Sequence, residues 1–158
     1  MSWQERIQDT SAFGGIPLGI AVALFALAAG KLLLFYQIAG ALALNYIIVA
    51  LIRTFWFEQR PDKTAAGKSW LSKIDASSFP SLHAGRIFSY IIILGSFFAS
   101  VWVYILMGAL AILISYLRIR LKRHYLQDVA IGAVMGLLIG WFAVNFAMSI
   151  VRALYLPI

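Results

Sequence analysis

The residues best suited to chemistry lie in 118–128, read as RIRLKRHYLQD. This stretch carries His124, one of two histidines in the chain, with Asp128 four positions later. On a helix that spacing puts both on one face. The Asp128 carboxylate would then accept a hydrogen bond from one ring nitrogen and leave the other open. An imidazole held this way has a fixed tautomer, and the cation formed when its free nitrogen attacks or takes a proton is favoured. Arg118, upstream of a turn, offers a planar fork of donors matched to phosphate. The pattern also has a plainer reading. His–Asp pairs at this spacing occur on ordinary helices, and a basic run beside an apolar segment anchors a membrane topology.

Two further stretches place polar groups where they are costly. In RTFWFEQRP, Arg53 and Arg60 are seven apart, which would stack them on one helical face, with Pro61 marking the helix end. An arginine in the last turns of an apolar run must snorkel or face a polar cavity. Snorkelling accounts for Arg60 better than for Arg53. In FPSLHAGRIF, Pro80 and Ser81 signal a helix start, with Ser81 as the N-cap. His83 then falls in the first turn, where open N–H groups and the helix dipole favour an anion. The alternative for His83 is an interfacial histidine satisfied by water. Asn45, inside an apolar run, reads as an interhelical hydrogen bond.

The elements that must position these groups are apolar. The chain has 158 residues, of which 63% are hydrophobic, and a mean hydropathy of +0.89. A soluble domain of this size cannot hide so much apolar surface, so the chain reads as an integral membrane protein. Its net charge of +7 points to lipid headgroups or anionic substrates. No nucleic-acid-reading element can be placed outside the apolar runs, so no nucleic-acid partner is expected. The absence of cysteine excludes disulfides and thiolate metal sites.

Apolar runs at 14–30, 32–57, from about 79 to 99, 101–117 and from 124 or 125 to 148 predict an all-α, polytopic membrane helix bundle with about five transmembrane helices. Residues 2–13 add a short N-terminal interfacial helix. Glu5 and Asp9 argue against a signal peptide there. No repeat or linker divides the chain, so 1–158 is expected to be a single domain. The polar segment 62–78, with Trp70 and Leu71 dipping into the interface, is placed to cap a site. Gly132, Gly136 and Gly140 form a small-residue stripe for close helix packing. Five spans gather Arg53, Arg60, Ser81, His83, Arg118, His124 and Asp128 at one membrane surface. Cations are few on the other side, where Lys31 and Arg152 lie. The positive-inside rule therefore puts the site on the cytoplasmic face of the cell membrane.

Taken in order, the three stretches resemble the tripartite signature of the type 2 phosphatidic acid phosphatase superfamily: Lys-x6-Arg-Pro, Pro-Ser-Gly-His and Ser-Arg-x5-His-x3-Asp, with matching spacing inside each block. The resemblance covers about residues 14–148. Arg53 stands in place of the lysine, Leu82 of the glycine and Leu117 of the serine, and the first of the six helices common in the family has no counterpart. The resemblance implies hydrolysis of the terminal phosphate of a membrane lipid, without metal or cofactor, through a phosphohistidine. His124 would be the nucleophile, Asp128 its orienting group, and His83 the acid for the leaving oxygen and then the base for water. Arg53, Arg60, Ser81, Arg118 and the N–H of Leu82 would hold the phosphoryl oxygens. A polyprenyl diphosphate, a phosphatidylglycerol phosphate, phosphatidic acid or a phosphorylated glycolipid would serve as the lipid phosphate substrate, arriving sideways from the bilayer. The alternatives are a lipid phosphotransferase using the same site and a non-enzymatic anion- or lipid-binding membrane protein, which would need no Asp128 behind His124.

Overall fold

A computed structural model describes residues 15–62 and 69–155. The interfacial helix expected over 2–13 lies outside these residues. Those described form six helices: α1 (Ile16–Ala28), α2 (Leu32–Phe55), α3 (Trp70–Ala76), α4 (Leu82–Phe98), α5 (Val101–Arg120) and α6 (Leu126–Tyr155). The α1–α2 turn passes through Gly30 at φ 69, a left-handed conformation that glycine adopts without steric cost. Large apolar side chains point outward around the bundle; Phe25 and Trp102 are each 75% exposed. A contiguous apolar surface of this kind is stable against lipid.

By length and composition, α2, α5 and the Leu126–Ser149 part of α6 can each cross a membrane. The other two expected spans are shorter, 13 residues in α1 and 17 in α4. At about 1.5 Å per residue they reach roughly 20 and 25 Å, against about 30 Å of hydrocarbon.

Helix α4 sits at the centre and packs on α6, α5 and α2, while α1 packs on α2. The predicted glycine stripe builds the α4–α6 seam. A Cβ at Gly132 would lie 2.5 Å from the Ser81 carbonyl oxygen, one at Gly140 2.6 Å from that of Ser89, and one at Gly136 would meet the Gly85 carbonyl. The two backbones therefore touch along the seam. Asn45 makes the expected interhelical bond, donating Nδ2 to Ser89 Oγ at 3.0 Å.

The structure departs from the sequence reading at two helix ends and within the polar segment. First, α2 stops at Phe55 and not at Pro61, so Arg53 and Arg60 do not share a helical face. The chain instead runs extended and pairs with the polar segment. Gln59 bridges Ser77 in antiparallel fashion, Ser78 N donates to Glu58 O at 2.8 Å, and Glu58 N donates to Ser77 Oγ at 3.2 Å. These bonds satisfy backbone groups that further helix would have satisfied internally. Second, the polar segment contains α3, capped by Ser69 Oγ, which accepts from Ser72 N at 3.1 Å. Third, α6 begins at Leu126, so His124 precedes the helix.

Candidate active site

The site is built around residues 77–81, which carry the start of α4 and are held from several sides. Ser81 caps α4 as predicted, its Oγ accepting from Ala84 N at 3.4 Å. Ser81 N donates to Asp128 O at 2.9 Å, which locks the start of α4 to the first turn of α6. The N–H groups of Leu82 and His83 sit in the first turn of α4, where a helix leaves its donors open.

Arg53 is buried and reaches across this loop. Its Nη1 donates to Ile74 O at 2.9 Å, and its Nη2 donates to Pro80 O at 2.9 Å and Ser78 O at 3.5 Å. The guanidinium meets these carbonyls from two nitrogens in a fixed plane, where a lysine would offer a single point charge. Arg60 comes from the extended segment and donates to Asp75 O. Arg118 lies in the last turn of α5. Its guanidinium makes no hydrogen bond among the described residues, and its Nε is buried without an acceptor. The Nε groups of Arg53 and Arg60 are orphaned in the same way. Leu117 adds no hydroxyl beside Arg118.

His124 is 2% exposed. Its Nδ1 lies 2.8 Å from Ser78 O. A carbonyl oxygen only accepts, so Nδ1 carries the proton and Nε2 keeps its lone pair. The hydrogen bond expected from Asp128 is therefore made by a backbone carbonyl. Asp128 Oδ2 stands 3.6 Å from Nδ1, an ion-pair distance, and instead accepts the Tyr125 N–H at 2.7 Å. The reason is local. His124 lies in the turn before α6, and Asp128, three residues after Tyr125, reaches back to cap the helix start. Asp128 Oδ1 is buried with no partner.

The electrostatics are cationic. Burial pushes His124 below the ordinary histidine range; Asp128 pushes back, and Arg118 and Arg53 add to the depression. Burial also lowers Arg60, followed by the repulsion of Arg123, with Asp75 and Asp62 opposing. His83 is half-buried and lies within electrostatic reach of Arg118, Arg86, His124 and Arg60. The structure thus brings His83, His124, Arg60 and Arg118 together, with Asp128 and Arg53 behind them. No group of three or more His, Asp or Glu side chains converges on a metal position among the described residues.

Three participants were not singled out from the sequence. The Ser78 carbonyl, which holds His124, is a backbone group and leaves no mark on residue type. The Gln127 Nε2 to Glu58 Oε1 bond of 2.9 Å, which ties α6 to the extended segment, joins two ordinary polar residues. Arg86 had a visible signal, a cation inside an apolar helix.

A search among curated proteins finds no match. The crystal structure of Aquifex aeolicus LpxE is similar in fold, with a TM-score of 0.73 over 90% of this chain and 85% of that one, at 19% identity. A family model described as the PAP2 superfamily matches residues 34–152, which include all three polar stretches. The chain belongs to the PAP2 superfamily, a lipid phosphatase family.

Proposed function

We propose that this protein hydrolyses the terminal phosphate of a membrane lipid by attack of His124 Nε2 on phosphorus. The observation that carries the reading is the Nδ1 bond of His124 to the Ser78 carbonyl. It leaves an unprotonated nitrogen beside guanidinium groups whose buried N–H donors have no acceptor. Orphaned donors of this kind are costly, and phosphoryl oxygens would satisfy them.

In the first step Nε2 forms a bond to phosphorus and the bond to the leaving oxygen breaks. His83 gives that oxygen a proton. Water, deprotonated by His83, then releases phosphate from His124. Arg60, Arg118, Ser81 and the Leu82 N–H hold the phosphoryl oxygens as charge spreads over them. Arg53 contributes charge and braces the loop. Asp128 stabilises the imidazolium as it forms.

The test is a phosphate-release screen of the purified protein in detergent across lipid phosphates. Release from at least one lipid, abolished in His124→Ala, is expected. No release from any lipid, or full release by the variant, overturns the reading. A phosphorylated lipid acceptor in place of free phosphate would identify a transferase. We also place the site on the cytoplasmic face. Because the chain has no cysteine, a Lys73→Cys probe that stays unlabelled from outside intact cells is the expected result.

A further inference from the structure

Arg86 is the cation of this site that the catalytic scheme leaves unused. It lies three residues after His83 on α4 and is 2% exposed. Its side chain runs back toward the helix start, donating Nε to Leu82 O at 3.2 Å. Its Nη1 is buried with no acceptor. The titratable groups around it are the phenols of Tyr90 and Tyr46 and, toward the reaction centre, His83 and Arg118. No carboxylate among the described residues faces it. A buried guanidinium among other cations is stable only when an anion joins it.

Below Arg86 the chemistry changes. Tyr90, one turn further along α4, is 7% exposed and its hydroxyl is also without a partner. Tyr90 lines a cavity of about 220 Å³ between α1, α4 and α5, whose walls include Leu18, Val22, Met107 and Ile114. The lining is apolar apart from that one phenol. The order from the membrane surface inward is the reacting histidines, then two orphaned donors, then an apolar cavity.

We propose that Arg86 and Tyr90 form a second anion subsite, which holds the inner phosphate of a lipid diphosphate whose hydrocarbon chain enters the cavity between α1, α4 and α5. The proposal rests on the phosphatase reading and names its substrate class. His124 attacks the outer phosphorus, and the bond from that phosphorus to the bridging oxygen breaks. The bridging oxygen leaves on the lipid monophosphate with the bonding electrons and takes its proton from His83. Water then frees inorganic phosphate from His124. Arg86 neutralises the charge that the departing lipid monophosphate gains. A lipid monophosphate has one phosphate for the outer site and leaves Arg86 unpaired.

The experiment compares kcat/KM for a prenyl diphosphate and a prenyl monophosphate of equal chain length, using the full-length protein in detergent. Wild type is expected to favour the diphosphate. Arg86→Met should lower kcat/KM for the diphosphate by roughly 10- to 100-fold, the effect of one lost charge-assisted hydrogen bond, and for the monophosphate by less than about threefold. Arg86→Lys should recover part of the loss, and Tyr90→Phe should give a smaller loss of the same selectivity. If Arg86→Met does not fold, Arg86→Lys and Tyr90→Phe carry the test: a diphosphate-selective loss in either supports the subsite. Equal losses on both substrates, or none, overturn the subsite and leave the phosphatase reading standing. Absence of phosphate release by wild type from every lipid tried overturns both.

Discussion

The side of α4 that faces α6 and the side that faces α1 are built on opposite principles. Toward α6, glycines bring two backbones into contact, and Ser81 N to Asp128 O closes the top of the seam. Toward α1 the helices stand apart around an apolar cavity. In a bilayer, where lipid is as apolar as any side chain, close backbone packing is a main source of helix adhesion. The seam fixes His124 relative to His83 because it fixes α6 relative to α4. The open side carries no group of the reacting centre and can yield to a chain of methylenes. On the proposed reading, rigidity is concentrated where reacting atoms would be held, and looseness where a chain would pass.

That contrast can be broken most severely at the seam's polar end. His124→Ala should lower phosphate release by roughly ten-thousand-fold or more, while the purified protein keeps its helical circular dichroism. Asp128→Asn should cost roughly ten- to a hundredfold. The Ser78 carbonyl still fixes the tautomer in this variant, and what is lost is charge behind the imidazolium. Its pH profile supplies a second check. Asp128 raises the His124 pKa against burial, so removing its charge lowers that pKa further. The acid limb of kcat/KM, where His124 becomes protonated and inert, should therefore move to lower pH. A limb that moves upward would contradict the assigned electrostatics.

Gly136→Ala tests the seam away from the chemistry. The added methyl meets the Gly85 carbonyl, so α6 must shift. A displacement of about 1 Å at the reacting groups costs on the order of a hundredfold, and a loss of ten- to a hundredfold is expected, together with a lower melting temperature in detergent. The smallest effect belongs to the other side. Met107→Ala enlarges the cavity and should change turnover of a short-chain substrate by less than about threefold, while shifting preference toward bulkier chains. If Met107→Ala proved as damaging as Gly136→Ala, the two sides would not differ as described.

Much of this was legible in residue types and spacing. The apolar runs gave the bundle, Ser81 its cap, Asn45 its interhelical bond, and the glycine stripe its seam. Less legible was how the polar ends of helices are finished. The seven-residue spacing of Arg53 and Arg60 pointed to one helical face, but the chain left the helix at Phe55 to pair with Ser77. The four-residue spacing of His124 and Asp128 did bring them close, through a helix cap and not a shared helical face. In both places backbone groups needing partners overrode side-chain periodicity, and backbone groups are the same in every residue. Arg86 is open to view within FPSLHAGRIF but lies three residues past the Pro-Ser-Leu-His block, where the signature makes no demand.

The short segment 77–81 is gripped from four directions at once, by Glu58, Arg53, His124 and Asp128. The orientation of His124 and the placement of His83, two residues past this segment, are therefore one mechanical variable. A ligand that displaced this clasp would move both imidazoles together. In the proposed scheme, a headgroup that seats the clasp poorly would be rejected before any bond to phosphorus is touched.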